Sequence, residues 1–341
     1  MANDECLSPM AHHCAVQSRR KVFGIGHLTF GTLTSLGIRV PGHFIAIAVL
    51  CVTPIALADD DANTLTLASY NVENYFDVFD DPYVSDEGTP VKSRRAIMAI
   101  AKAIRAMDAD VVAFEELENE WVLHALVVEF LADMGYDHIA ALPTNSRRGI
   151  NLGIISRKPI ERATSHRWLE LKLPGDRRTW QFARDLAMFR LRVTVEHTLD
   201  LYVVHLKSRR SGDGDPKSAK WRLAEATAVQ RVVSQRVAAD PTAWVAVVGD
   251  FNDTPDTDVY AKLTAPDAEG RATLIDLHAT LPDNRRITYL SKPFRSTVDY
   301  IFASPALARH AVANSARVIN NSAVLAGSDH APVVVTFELG Q

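Results

Sequence analysis

The stretch WVAVVGDFNDTPDTDVY, Trp244–Tyr260, starts as an uncharged apolar run and then delivers Asp250, Asn252, Asp253, Asp256 and Asp258 within a few residues. The same pattern recurs along the chain: apolar runs end in Asn71 and Glu73, in Glu115 and Glu116, in His205 and Lys207, and in Asp329 and His330. Oxygen donors dominate this set, with Asn71, Glu116, Asp250, Asn252 and Asp329 as candidates beside His205, His330 and the less clearly placed His278. Carboxylate and amide oxygens suit Mg²⁺, Mn²⁺ or Ca²⁺, whereas Zn²⁺ is more often held by His and Cys. A hard cation of that kind polarises a phosphoryl oxygen and stabilises charge on a departing oxygen. Water attack also needs a positioned base, for which Asp250 is the candidate, and proton donors, for which His205 and His330 are the candidates.

Side chains aimed this way need rigid elements behind them. Apolar, β-rich runs recur from Thr64 onward: TLTLASYNV, DVVAFEEL, NLGIISRKPI, LAMFRLRVTV, LDLYVVHLKS, WVAVVGDFND, TVDYIFAS and APVVVTFEL. Helical patterns lie between some of them. In SRRAIMAIAKAIRAMDAD, the residues Ala96, Ile97, Ile100, Ala101, Ile104 and Met107 form one apolar stripe, and further helices are expected over about 118–134 and 216–237. This alternation predicts an α/β fold in which several strand ends meet at one edge of the sheets, where rigid strands can hold a site. RRSGDGDPKS, residues 209–218, reads as a surface loop, and no repeat or linker divides the chain.

The ordered set SYNVEN, FEELEN, VVHLKS, GDFND, STVDYIFAS and GSDHAPV resembles the endonuclease/exonuclease/phosphatase superfamily with the DNase I-like fold, over residues 64–338. The resemblance implies a four-layer α/β sandwich, two packed mixed β-sheets flanked by helices, with Mg²⁺ as cofactor; the oxygen donors themselves also suit Mn²⁺ as a substitute and Ca²⁺ as an accessory ion. It implies that Asn71 and Glu116 hold the metal, with Asp329 as a further or water-mediated ligand. Asp250 then orients or deprotonates the attacking water, and Asn252 fixes water and a phosphate oxygen. His330 contacts the scissile phosphate while Asp299 accepts its other N–H, and His205 stabilises the transition state from the opposite side. The second motif departs from the family's usual Gln-Glu, since Glu115-Glu116 stands there. Position assigns the ligand to Glu116 and leaves Glu115 free to share or perturb the metal.

Basic residues beside these motifs supply candidates for binding substrate phosphate: Lys207, Arg209 and Arg210 directly after His205, and Arg184 in FARDLAM, where the family often places such an arginine. Arg147-Arg148 and Arg295 are weaker candidates. Taken singly, each feature has a plainer reading. Asn71 is a turn former, Glu115-Glu116 a solvated helix start, His205 a satisfied sheet histidine, DFNDTPD a calcium-binding turn, and each arginine a solvated charge. Their joint occurrence is what points to a working site.

The chain has 341 residues, 47% of them hydrophobic, which is ordinary globular composition. A formal net charge of −4 gives no overall pull toward nucleic acid or anionic membrane, so polyanion binding must come from a local basic patch. HFIAIAVLCVTPIALA, residues 43–58, ends in Ala56-Leu57-Ala58 ahead of three aspartates, the pattern of a secretory segment with a small-residue cleavage site. At less than the roughly 20 apolar residues of a membrane span, it argues against a stable anchor. The sequence therefore divides into a leader, 1–58, and a catalytic domain, 59–341, exported to the periplasm or medium after cleavage behind Ala58. SRRKVF, residues 18–23, is a loose twin-arginine signal in an overlong basic region, and a buried element of a cytoplasmic domain is the other reading of the apolar run. Cys6, Cys14 and Cys51 all lie in the leader, so the exported domain has neither disulfide nor thiolate metal site.

The expected function is metal-dependent phosphodiester hydrolysis by a nuclease acting on DNA or RNA, working as a monomer with no obligate protein partner. Two alternatives stand beside it. One is a phosphatase or phospholipase C-like enzyme acting on inositol phosphates or sphingomyelin; the other is a catalytically silent binding module.

Overall fold

Period-two alternation in the apolar runs decides which side of each strand faces the core. The computed structural model describes residues 63–210, 214–267, 269–321 and 324–340. The expected leader and its boundary after Ala58 lie outside the described residues. The strands are β1 (Thr64–Tyr75), β2 (Val111–Leu117), β3 (His138–Leu142), β4 (Asn151–Ser156), β5 (Ile160–Thr164), β6 (Leu186–Arg192), β7 (Thr198–His205), β8 (Trp244–Asp250), β9 (Ile275–Asp276), β10 (Asp299–Ala303), β11 (Arg317–Val318) and β12 (Val333–Glu338). One six-stranded mixed sheet runs β11-β12-β1-β2-β4-β3, and the other runs β5-β6-β7-β8-β10-β9.

Leu65 and Leu67 of β1, Val111 and Ala113 of β2, Leu201 and Val203 of β7, Ala246 and Val248 of β8, and Ile301 and Ala303 of β10 share one buried cluster between the sheets. The opposite face of β1, with Ala68, Tyr70 and Val72, packs under α1 (Arg94–Met107) and α2 (Glu120–Phe130). Tyr202, Val245, Val247 and Phe302 on the second sheet pack under α3 (Ala219–Ala239) and α4 (Asp258–Leu263). A short helix, α5 (Pro305–Ala308), closes against the inter-sheet core through Ala306 and Leu307. The result is the expected four-layer, DNase I-like sandwich. Among the described residues, no helix is long and apolar enough to cross a membrane.

Two helix boundaries differ from the sequence reading. α2 stops at Phe130, and Leu131 and Met134 reach the same core from the following turn, which mimics continued helical periodicity. Residues 216–218 form a separate 3₁₀ turn with Lys217 and Ser218 in left-handed backbone. The cap of α3 comes from further back, because Asp215 accepts from the N–H groups of Lys220 and Trp221, both at 3.0 Å. The run read as NLGIISRKPI also splits, into β4 and β5 of different sheets.

Candidate active site

The inter-sheet face ends in polar residues at one edge of both sheets. On β1 the sequence of inward positions Leu65, Leu67, Ser69, Asn71 turns polar, as do Glu115 on β2, His205 on β7 and Asp250 on β8, while β10 begins with Asp299. Pairing brings them side by side: His205 lies opposite Asp250 in the β7/β8 ladder, and Asp299 opposite Asp250 in the β10/β8 ladder. Close packing of the strands is built in at Gly249, φ +132°, where a Cβ would sit 2.0 Å from the Val204 carbonyl oxygen. Only glycine fits beneath Asp250. On β2, a bulge between Glu115 and Leu117 puts Glu116 in left-handed backbone, φ 66°, and re-aims it. Glu115 therefore stays buried between the sheets, and Glu116 turns into the cavity.

That cavity, about 760 Å³, is lined by Glu73, Glu116 and Asp329, by Asp250, Asn252, His205 and His330, and by Arg148, Arg184, Arg209 and Arg210. Tyr289 and Phe294 stand on its rim side. Asp250 is buried and its oxygens collect three donors: Asn252 N at 2.8 Å, Asn252 Nδ2 at 3.1 Å and Asn71 Nδ2 at 3.2 Å. His330 Nδ1 sits on Asp299, 2.9 Å from Oδ2 and 3.1 Å from Oδ1. Its Nε2 stands 3.9 Å from both Asp250 and Asp329, beyond hydrogen-bond reach of either. A Ser328 hydroxyl fixes the backbone here by accepting from His330 N and donating to Asn71 O.

The charges follow from this arrangement. Burial works against the His330 cation, but Asp299, Asp250 and Asp329 outweigh it and hold its pKa well above the usual imidazole value. Burial pushes Asp250 up to about 7, with Asp299 adding to the effect and His330 opposing it. His205 is also buried, and desolvation with the nearby Arg184 drives it well down, to the neutral form. Its Nε2 faces Asp250 at 3.4 Å and Glu116 at 3.9 Å, while its Nδ1 has no partner. Glu115, which accepts from the Ser69 hydroxyl at 2.8 Å, is raised well above the usual range by burial and by Asp299.

These shifts fix a pH profile. Asp250 accepts a proton from water only when ionised, so kcat rises with pH through about 7. His330 donates only when protonated, and its raised pKa delays the alkaline fall. The expected outcome is a bell with its plateau above neutrality, measured on a small diester; an activity maximum near pH 5 contradicts these roles.

Three sequence-read residues sit differently from their expected roles. Asn71 does not line the cavity: its Nδ2 donates to Asp250 and its Oδ1 accepts from Glu73 N at 3.0 Å, so it stands behind Asp250 as a brace. Lys207 points away, its ammonium 5.8 Å over the Trp221 ring and near Ser208. Arg209 lines the cavity but is tied to Asp253 and the Asn252 carbonyl. Arg210 is exposed on the wall, and Arg184 donates to the Leu206 carbonyl at 3.2 Å from a desolvated position. Arg295 lies off the cavity, and His278 is buried elsewhere, near the Arg317 carbonyl.

Residues without an assigned role also matter. Glu73, beside Asn71 in left-handed backbone, is raised by burial and by Asp329 and Glu116; its Oε2 accepts from Asp329 N at 3.0 Å. Arg148 reaches the cavity and donates to Asn74 Oδ1. Glu225 of α3 is fully buried and accepts from the backbone N–H of Ala183 and of Lys207, both at 2.7 Å, clamping the segments that carry Arg184 and His205. Its neighbour Arg222 reaches Asp253 and the carbonyls of Lys207 and Lys217.

Two acidic groupings could attract a cation. Ligand atoms of Asp250, Asp299 and His330 lie within 4.8 Å of one another, yet both Asp299 oxygens are engaged with His330 Nδ1 and those of Asp250 with Asn71 and Asn252. Glu73, Glu116 and Asp329 offer hard oxygen donors on the cavity wall. Burial first, and then their mutual repulsion, raises Glu73 and Asp329, and the nearby Lys92 ammonium is bonded to a carbonyl oxygen, that of Glu73.

Against known proteins, the endonuclease/exonuclease/phosphatase family profile matches residues 66–331, and the chain belongs to that family. Curated sequences give no match. Among solved structures, the human Nocturnin catalytic domain with bound sulfate is similar at 18% identity and TM-score 0.59, covering 81% of this chain and 94% of that one. A Danio rerio TDP2 complexed with single-strand DNA product is similar at 20% identity and TM-score 0.52, covering 80% and 98%. A family protein from Leptotrichia buccalis follows at 15% identity and TM-score 0.53, covering 80% and 99%. At these identities the likeness speaks for the fold.

Proposed function

We propose that this protein hydrolyses phosphodiester bonds in DNA or RNA by direct attack of water on phosphorus. One observation carries the reading: the Asp250–Asn252 pair, the His330–Asp299 pair and three cavity-facing acids share one cavity with Arg148, Arg184 and Arg210. Asp250, held by three donors, orients the water and takes its proton. The water oxygen bonds to phosphorus as the ester P–O bond breaks, and the protonated His330, aimed by Asp299, gives its Nε2 proton to the leaving oxygen. Neutral His205 donates toward a non-bridging oxygen, where negative charge builds, while Asn252, whose amide donates to Asp250 and to the Leu206 carbonyl, holds the base in place. Glu73, Glu116 and Asp329 would hold Mg²⁺, which when bound supplies charge neutralisation at the phosphoryl group.

A nucleic-acid substrate is favoured by the open basic wall and by the rim aromatics Tyr289 and Phe294, the latter 71% exposed. The relative crystallised with single-strand DNA product points the same way. We further infer export, on the apolar run ahead of Asp59, and a monomeric enzyme. Arg210→Ala tests the substrate. Removing one phosphate contact should lower the slope of log KM against log salt by about 1 for a polynucleotide and leave bis(p-nitrophenyl) phosphate turnover unchanged. Hydrolysis of sphingomyelin or inositol phosphates with no nicking of plasmid or RNA would replace this substrate assignment with the phosphatase or phospholipase one.

A further inference from the structure

Between β1 and α1 the chain places Asp77, Asp80, Asp81, Asp86 and Glu87 within eleven positions, with no basic residue among them. Solvated acids in a loop are unremarkable by themselves. Asp86, however, is only 6% exposed, and its inaccessible Oδ1 receives no hydrogen bond. A buried carboxylate without donors is unfavourable unless a cation or a proton compensates it. The carboxyl of Asp80 lies within hydrogen-bond reach of Asp86, and desolvation, followed by Asp86, Glu87 and Asp81, pushes Asp80 upward. Beneath the loop, the buried Glu118 accepts from Asp77 N at 2.6 Å and is raised by burial, with Asp77, Asp86 and Asp81 adding to it. None of these acids lines the catalytic cavity.

We propose that this loop is a Ca²⁺ site, anchored by the carboxylates of Asp86 and Asp80 with Asp81 beside them. The chemistry favours calcium because the donors are all oxygen and sit on an irregular segment, where carbonyls and waters complete six to eight ligands without a rigid octahedron. The ion has a structural role at the rim of the cavity. Ser85 N donates to the Arg147 carbonyl at 2.7 Å, Val84 packs on Gly149, Lys92 N donates to Phe76 O, and the Lys92 ammonium reaches the Glu73 carbonyl. Ordering the loop therefore steadies the backbone that carries Arg148 and Glu73.

The test is calorimetric titration of the full chain with CaCl2 under saturating Mg²⁺, alongside thermal melts in EDTA and in calcium, for wild type, Asp86→Asn and Asp80→Asn. Asp80 is exposed, so Asp80→Asn should fold even if Asp86→Asn does not. The proposal expects wild type to bind one more Ca²⁺ than either variant and to gain several degrees in Tm with calcium. In EDTA the Asp80→Asn protein should melt at or above wild type, because a like-charge contact has been removed. Equal calcium stoichiometry and equal calcium-induced Tm shifts in wild type and Asp80→Asn would overturn it.

Discussion

His330→Ala and Asp250→Asn are each expected to lower kcat by on the order of 10² to 10⁴, while the circular dichroism spectrum stays native. The two residues act on opposite ends of the same bond change. Asp250 faces the entering water, and His330, charged because Asp299 sits on its Nδ1, faces the leaving oxygen. Asp299→Asn should be the milder copy, since the ring survives and only its charge and orientation are disturbed. In the double variant His330→Ala/Asp250→Asn the losses should fall short of additive, because the residues serve one transition state. Near-wild-type turnover in either single variant would remove that residue from the mechanism.

The second large effect is metal dependence. EDTA is expected to abolish hydrolysis, with Mg²⁺ or Mn²⁺ restoring it, because the cavity acids are all hard oxygen donors. Glu116→Gln and Glu73→Gln should each raise the Mg²⁺ concentration needed for half-activation by at least about tenfold, within the range of losses seen when groups around a metal are removed. Glu115→Gln should leave it unchanged, since Glu115 is buried off the cavity and its Oε1 is occupied by the Ser69 hydroxyl. The reverse pattern, with Glu115→Gln impaired and Glu116→Gln intact, would show that the bulge on β2 delivers the other glutamate to the ion.

What could be read from sequence was governed by strand geometry. Asp250, His205 and Asp299 terminate or begin period-two runs, so both their presence at an edge and their shared face follow from alternation. Glu73 belongs to the same strand-end cluster as Asn71, but beyond Asn71 the strand enters left-handed backbone at Glu73 and Asn74, and alternation no longer tells which side chain enters the cavity. Asn71, given a metal role by the resemblance, turns its amide to Asp250, while Glu73 lines the cavity. Lys207 comes two residues after His205, beyond the end of β7, where alternation no longer fixes the face it takes. Arg148, Tyr289 and Phe294 come from connections whose path no periodicity encodes. A signal for Glu225 did exist: it falls on one helical face with Arg222 and Val229, a charge in the middle of an apolar stripe. Whether that charge was solvated or clamping backbone amides depended on the partners that α3 covers.

Hydrolysis of bis(p-nitrophenyl) phosphate by the purified protein in ¹⁸O-labelled water, with Mg²⁺ and again with EDTA, tests the central claim most directly. The expected result is Mg²⁺-dependent release of p-nitrophenol with one ¹⁸O in the phosphate monoester product, lost in Asp250→Asn. Turnover that is indifferent to both EDTA and Asp250→Asn, or product phosphate without the label, would contradict it.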